Sequence, residues 1–337
     1  MIHALVSILI PAYNAAPWIG ETIESALAQT WKFKEVIVVD DGSTDKTLQT
    51  VRRYGSRGVR ILQQENRGAN CARNLALRHA RGDYLQWLDA DDVLAPDKIE
   101  QQMLVAQSLG DRFAFLTCPW ARFYYRTQSA RFAPDALWRD LDPADWLIAK
   151  FTHNTWMNPA TWLVSRELTQ RAGSWDERLT RDQDGEYVAR LVSRSARVHF
   201  VGAARSYYRQ CNQRSVSRRT SQNSLASLLL ATALSIEHLR SLEDSPRTRE
   251  ACLAYLSLLL YYIDDDQPQL LARVAALAEA LGGRLSAPSR KRRHAVAERL
   301  VSRRWARRAH EAVAGGKAAL ARSWDRLLAR VPQGPAR

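Results

Sequence analysis

Lys34-Glu35-Val36-Ile37-Val38-Val39-Asp40 is an apolar, β-branched run that ends on a carboxylate, and Asp41-Gly42-Ser43-Thr44-Asp45 follows it with turn-forming residues. A short apolar run bounded by turn signals reads as a buried strand. Three other runs have the same form: Leu5–Pro11, Val59–Gln64 and Tyr84–Asp89. Helix-period segments lie between and after them, at Trp18–Gln29, Thr44–Tyr54, Gly68–Arg81 and Pro96–Leu109. This alternation predicts an α/β fold, Rossmann-like, with a mostly parallel sheet and helices on both faces. The helix after the second strand is expected to take its N-cap from Ser43 or Thr44.

Ligands of open α/β sheets sit beyond the carboxyl ends of the strands. The residues at those ends are Pro11-Ala12-Tyr13-Asn14, Asp40-Asp41-Gly42-Ser43 and Asp89-Ala90-Asp91-Asp92. Three polar, turn-forming clusters at three strand ends predict a site. Further strands at Phe113–Cys118, Thr161–Ser165 and Val198–Val201 make the next stretch mixed α/β. After about Ser221 the period is purely helical, through Leu225–Leu242, Arg249–Ile263 and Pro268–Leu281, until Gly282-Gly283 and Pro288 break it. The organisation expected is an α/β domain over residues 1–220 with halves at 1–110 and 111–220, a helical extension over 221–283 and a basic tail over 284–337.

A chain of 337 residues with 46% hydrophobic content exceeds one ordinary domain and has ample material for a core. The net charge of +14 is unevenly placed: residues 284–337 hold 15 Lys/Arg against 3 Asp/Glu, leaving 34 against 32 before them. The positive charge therefore belongs to the tail. Cys71, Cys118, Cys211 and Cys252 lie far apart with no CxxC pair, which fits free buried thiols in a reducing cytosol better than disulfides or a zinc site. The N-terminal apolar run is too short for a secretory h-region. The apolar stretches Leu225–Ile236 and Cys252–Ile263 fall short of a bilayer span and read as buried helices.

Three carboxylates within Asp89-Ala90-Asp91-Asp92 repel one another, and a hard divalent cation, Mg²⁺ or Mn²⁺, relieves that while sharing the carboxylates with substrate phosphates. A DxD alone is also a common solvated turn; its position directly after Tyr84-Leu85-Gln86-Trp87-Leu88 gives it weight. Of Asp40 and Asp41, one is available to a nucleobase or ribose, and at least one is expected to serve only as an Asx turn or cap. Asn66-Arg67-Gly68 and Arg73-Asn74 put cations at the start of a helix, where they oppose its dipole, so an anion such as a diphosphate is the expected reason for them. No GxGxxG follows the first strand, which disfavours a dinucleotide-dependent dehydrogenase.

Taken in order, Val6-Ser7-Ile8-Leu9-Ile10-Pro11-Ala12-Tyr13-Asn14, Val38-Val39-Asp40-Asp41-Gly42-Ser43-Thr44-Asp45, Asn66-Arg67-Gly68 with Ala72-Arg73-Asn74, and Leu88-Asp89-Ala90-Asp91-Asp92 resemble glycosyltransferase family 2 across about the first 110 residues. The resemblance implies the GT-A fold, a nucleotide-diphospho-sugar donor (a UDP-sugar first), a divalent metal and inversion at the anomeric carbon. It implies that Pro11, Tyr13 and Asp41 (or Asp40) line the nucleoside pocket, with Ala12 and Asn14 beside them. Asp89 and Ala90 would lie near the ribose, and Asp91, with Asp89, would hold the metal. Residues 1–110 become the donor half and 111–220 the acceptor half.

Inverting transfer needs a general base for the acceptor hydroxyl. In the family this is an aspartate just before a helix, and the match falls on Asp184, with Asp182 second, in Gly173-Ser174-Trp175-Asp176-Glu177-Arg178-Leu179 … Asp182-Gln183-Asp184-Gly185-Glu186-Tyr187. Tyr208-Arg209 and Ser215-Val216-Ser217 resemble the segment that closes over the donor diphosphate. Val301 stands where the Gln-x-x-Arg-Trp motif of processive members has glutamine, so transfer of a single sugar is expected. His153, near Asn154, Asn158 and Pro159, either borders the acceptor cleft or plays an ordinary structural part.

In the tail, Arg290-Lys291-Arg292-Arg293, Arg303-Arg304 and Arg307-Arg308 flank Leu300, Val301 and Trp305 at helical spacing. That pattern suits an anionic membrane surface, where each basic residue contributes ~1 kcal/mol; packing back on the body is the rival. Too few aromatics interleave for a nucleic-acid platform. The function expected is single-sugar transfer to a glycan or lipid-linked acceptor in cell-surface polysaccharide or lipopolysaccharide assembly, in the cytoplasm or at the inner membrane face. A catalytically silent nucleotide-binding scaffold is the alternative.

Overall fold

The structure is a computed structural model and describes residues 4–210, 221–263, 266–285, 319 and 321–329. The N-terminal part runs β1 (Val6–Ala12), α1 (Ile19–Leu27), β2 (Lys34–Asp41), α2 (Thr47–Arg52), β3 (Val59–Gln64), α3 (Ala69–His79) and β4 (Tyr84–Trp87). Then come β5 (Val93–Leu94), α4 (Lys98–Leu109), β6 (Ala114–Thr117), β7 (Trp120–Phe123), β8 (Arg131–Phe132), α5 (Pro143–His153), β9 (Leu163–Ser165), α6 (Arg166–Ala172), α7 (Gln183–Arg194), β10 (Arg197–Phe200) and β11 (Ser206–Arg209). The helical extension contains α8 (Gln222–Leu242), α9 (Pro246–Ser257) and α10 (Pro268–Ala280), and residues 321–329 are again helical.

Among the described residues, seven strands form one sheet in the order β10-β6-β9-β4-β1-β2-β3. The pairs β1–β2, β1–β4, β2–β3 and β6–β10 are parallel, as the alternation predicts. The exception is β9, three residues inserted antiparallel between β4 and β6. A second sheet, β5-β11-β7-β8, stands beside the turn that leaves β4. No helix-length segment separates β6 from β7, and such short strands carry little pattern of their own.

Period-two alternation sends each central strand into two cores. Leu9, Ile37, Val39, Leu85 and Trp87 face one with α3, while Ile8, Ile10, Val36 and Val38 face the other with Ile19 and Ile23 of α1 and Ile99 and Met103 of α4. Helices therefore cover both faces, and the strands are buried on both, which is why they read as continuous apolar runs. The first core continues into the extension through Leu225, Ile236, Cys252 and Leu256. Helix α8 is 21 residues long with mean hydropathy 1.2, enough to span a bilayer by length and composition, yet half of it is buried in the fold, where it packs on α7 and α9. Cys71, Cys118 and Cys252 are free and buried.

Several element boundaries differ from expectation, and two have a plain cause or form. Helix α2 starts at Thr47, not at Ser43 or Thr44, because Asp45 Oδ1 accepts from Thr47 N at 2.8 Å and Ser43 is used elsewhere. Helix α9 stops at Ser257 and tightens into a 3₁₀ turn over Leu258–Tyr261.

Candidate active site

The site forms where the ends of β1, β2 and β4 meet the start of α3 and α7. Asn14 adopts a left-handed backbone (φ 48°) and ties the first two strand ends together. Its Oδ1 accepts from Thr44 N at 2.8 Å, and its own N–H donates to Ser43 Oγ at 3.0 Å. Gly42 is required at the same junction: at φ +70° a Cβ would stand 2.7 Å from the Asn66 backbone nitrogen. Tyr13 is left 49% exposed at the rim, available to stack on a planar ligand.

Asp40 and Asp41 are both buried but have different partners. Asp41 Oδ1 accepts from Gln64 Nε2 at 2.7 Å and Arg67 N at 2.9 Å, and Oδ2 from Gly68 N at 2.9 Å. It therefore shapes the Asn66-Arg67-Gly68 loop. Asp40 Oδ2 accepts from Ser43 N at 3.2 Å, while its Oδ1 is buried without a hydrogen bond. A buried carboxylate oxygen lacking a partner is uncommon and marks where a ligand donor can enter. Arg67 remains mostly exposed, with Nη2 4.0 Å from Glu177.

The Asp89–Asp92 turn is held from below. Thr22 Oγ1 donates to Ala90 O at 3.0 Å and to Asp92 O at 2.9 Å. Arg209, buried, donates from its backbone to Asp92 Oδ1 at 2.9 Å and from Nε to Asp91 O at 2.8 Å, with Nη2 on Glu21 at 2.5 Å. Its guanidinium also lies over the rings of Trp18 and Phe123. Asp89 and Asp91 are part-exposed, and Asp92 is buried. Burial, then Asp91 and Asp89, hold the Asp92 carboxyl well above the usual carboxylate range.

Arg73 occupies the centre. It is 3% exposed, lies over the Trp175 ring at 4.3 Å, and directs Nη2 to Asp89 Oδ1 at 3.0 Å. The same nitrogen lies 3.2 Å from Asp184 Oδ1, close enough to pair its charge but out of line for a hydrogen bond. One guanidinium thus joins the β4 turn to the first turn of α7. Arg73 Nη2 faces the two carboxylates and Nη1 donates to Asn70 Oδ1 at 3.2 Å, so its part is to set the distance between Asp89 and Asp184. Burial pushes the Asp184 carboxyl up to about 6, with Arg73 opposing and Asp89 and Asp182 adding to the rise.

Asp182, two residues away, is turned elsewhere. It precedes α7 in a left-handed conformation (φ 52°), and its Oδ2 accepts from Tyr255 of α9 at 2.8 Å. A side chain on Gly185 would clash with it at 2.3 Å. Asn74, expected at the donor, instead clamps the loop before α7: Nδ2 donates to Trp175 O at 2.9 Å and Glu177 Oε1 at 3.0 Å, and Oδ1 accepts from Trp175 N at 2.9 Å. Asn70 does the same for Asp176 and Leu179. Trp175 is locked in turn by stacking on Tyr187 at 3.9 Å.

Among the described residues, no three or more His, Cys, Asp or Glu side chains gather around one point. A two-carboxylate site still suits Mg²⁺ or Mn²⁺, which take hard oxygen ligands and complete their shell with waters and substrate phosphates. The mutual repulsion at Asp89–Asp92, visible in Asp92 and its buried Oδ2 without a hydrogen bond, fits such a cation. His153 lines a surface hollow with Arg139, Leu141, Asp145 and Thr152, which shares none of these residues. Ser215-Val216-Ser217, Cys211 and the tail clusters from Arg290 to Arg308 lie outside the described residues.

Residues 7–133 match the family described as Glycosyl transferase family 2. An uncharacterized glycosyltransferase of Rickettsia typhi is 34% identical over 182 residues, a match spanning 53% of this chain and 57% of that relative. S. aureus TarS 1–349 in complex with UDP-GlcNAc is similar in structure at a TM-score of 0.60 and 17% identity, over 82% of this chain and 89% of that one. A mannosyltransferase from Pyrobaculum calidifontis in complex with GDP-Man and Mn²⁺ is similar at 0.50 and 21%, over 82% and 81%. The likeness to these structures shows the fold, which is GT-A.

Proposed function

We propose, from the premise that residues 7–133 belong to glycosyl transferase family 2, that this chain is an inverting, divalent-metal-dependent enzyme. It moves a single sugar from a nucleotide-diphospho-sugar to a hydroxyl of a glycan or lipid-linked acceptor. The observation that carries the reading is Arg73, whose one Nη2 reaches Asp89 at 3.0 Å and Asp184 at 3.2 Å. One buried cation thus holds a carboxylate of the donor turn beside the base candidate.

The proposed roles follow from the partners already described. Tyr13 and Asp40 receive the nucleoside, Tyr13 by stacking and Asp40 through its open Oδ1. Asp41, Asn14 and Gly42 shape the loops around it, and Arg67, mostly exposed and only loosely paired with Glu177, is the cation assigned to the diphosphate. Asp91 and Asp89 would hold Mg²⁺ or Mn²⁺, which when bound neutralises charge on the leaving diphosphate. Asp184, ionised at neutral pH, takes the proton of the acceptor hydroxyl as its oxygen bonds to the anomeric carbon. The bond from that carbon to the diphosphate oxygen breaks on the opposite face, which inverts the configuration. Asp184 stays part-exposed, within reach of an acceptor hydroxyl, and Arg73 keeps it aimed.

A UDP-sugar is the first donor to test, because the TarS structure holds UDP-GlcNAc; GDP-Man, held by the mannosyltransferase, is the second. The +12 charge of residues 284–337 supports placement against an anionic inner membrane face and an acceptor built there for cell-surface polysaccharide. The deciding experiment is a thermal-shift panel of UDP, GDP, CDP and dTDP with and without Mn²⁺, on wild type and Asp91→Ala. One nucleotide should raise the melting temperature in a metal-dependent way, and Asp91→Ala should lose that rise. No rise with any nucleotide would favour the catalytically silent alternative.

A further inference from the structure

We infer that Trp156, Trp120 and Tyr208 form a platform on which a pyranose ring of the acceptor stacks; this rests on the transfer reading above and names the acceptor class it takes. The three rings meet edge to face, with centroids 5.1 Å apart for Trp120–Trp156, 4.8 Å for Trp156–Tyr208 and 6.1 Å for Trp120–Tyr208. Two aromatic groups belong to the core, where Trp87, Trp175 and Tyr187, and Phe115, Trp146 and Trp162, are all fully buried. In this trio each ring is only part-buried. Three large rings clustered at a surface expose apolar area that water solvates poorly.

Their place in the fold points to the acceptor. Trp120 and Tyr208 stand on β7 and β11 of the small sheet, and Trp156 lies in the irregular stretch between α5 and the 3₁₀ turn at Pro159. Tyr208 immediately precedes Arg209, whose backbone N–H donates to Asp92. Through Tyr208 the trio therefore joins the strand that holds the acidic turn, and the charges of Asp92, Asp91, Asp89 and Asp184 reach the Tyr208 phenol. The nucleoside end, at Tyr13 and Asp40, belongs to β1 and β2 of the other sheet. A sugar beside the base and on the acceptor half is the one that gives up a proton to Asp184.

The chemistry fits a pyranose. Its ring has a face of C–H bonds and a rim of hydroxyls; the C–H face carries slight positive charge and complements the negative face of an aromatic ring. An open-chain polyol has no such flat face, and a bare lipid phosphate would be repelled by the carboxylates nearby.

The test is saturation-transfer NMR on the full chain with methyl β-D-glucopyranoside, methyl β-D-galactopyranoside, methyl 2-acetamido-2-deoxy-β-D-glucopyranoside and ribitol as probes. Wild type should transfer saturation to the ring C–H protons of at least one pyranoside and not to ribitol. Trp156→Ala should weaken that binding about tenfold, and Trp156→Phe should restore part of it. The Mn²⁺-dependent nucleotide shift of Trp156→Ala should match wild type, which separates a lost platform from a lost fold. Absence of transfer to every pyranoside, equal transfer to ribitol, or full binding by Trp156→Ala would each overturn the inference. If pyranosides bind while no nucleotide does, the platform stands and the transfer reading fails; the reverse result leaves the reading and removes the platform.

Discussion

The turn at Asp89–Asp92 and the turn at Asp182–Asp184 are both acidic, and they meet their charge in opposite ways. In the first, three carboxylates fall within four residues of one turn, Arg73 reaches Asp89, and Asp92 is driven toward its neutral form by burial and its neighbours. In the second, each carboxylate has its own environment: Asp182 receives the Tyr255 hydroxyl, while Asp184 lies part-exposed beside Arg73 and is kept up at about 6. Carboxylates close along one turn suit the divalent cation proposed for them. Separated carboxylates, one anchored and one poised, suit the exchange of a proton. Acidic residues at strand and helix ends thus divide into distinct roles by which partners the fold brings them.

Replacing the poised group should break the comparison hardest. Asp184→Asn is expected to cut turnover about 100- to 10,000-fold, the usual share of a general base, while leaving the nucleotide-dependent thermal shift intact. Turnover near wild type would move the base elsewhere. Next in size is the pH dependence. Only ionised Asp184 can accept the proton, so kcat/KM should lose about tenfold per unit below a limb set near pH 6 by its raised carboxyl, and stay level above it. A limb in the ordinary aspartate range would mean that burial does not tune this group. The smallest effect should come from Tyr255→Phe, which keeps the ring stacked on Phe151 but removes the hydroxyl from Asp182. Stability in urea should fall by ~1 kcal/mol, the net worth of one hydrogen bond, with turnover unchanged. A marked loss of turnover would show that Asp182 takes part in the chemistry.

How much of this was legible beforehand varies residue by residue. The four strands from Val6 to Trp87 read directly, because burial on both faces leaves a run of apolar, β-branched side chains that local sequence displays. The pairing of Asp89 and Asp91 with a strand end was equally readable. The split between Asp40 and Asp41 was not: both follow the same strand, and only the approach of Gln64, Arg67 and Gly68 commits Asp41 to the loop. Asn74 looked like a ligand contact beside Arg73, yet its partners lie about a hundred residues away, at Trp175 and Glu177. Thr22 carries no local mark of its hold on the turn, since a threonine in a helix looks the same whether it faces core or ligand. The short strands β7 and β11 were missed too, as four residues give alternation too little length to register.

By itself the sequence determined the alternating α/β plan, the polar strand ends, the acidic turns and the concentration of positive charge after residue 283. These are local properties: periodicity, turn chemistry and composition act over a few residues. The tertiary structure alone decided that β9 enters antiparallel, that α8 to α10 complete a core begun by β4, and that Arg73 joins Asp89 to Asp184. It also decided that Trp120, Trp156 and Tyr208 meet. Each of these depends on which distant groups come together when the chain closes on itself, and a polar or aromatic side chain does not declare its partner until it has one.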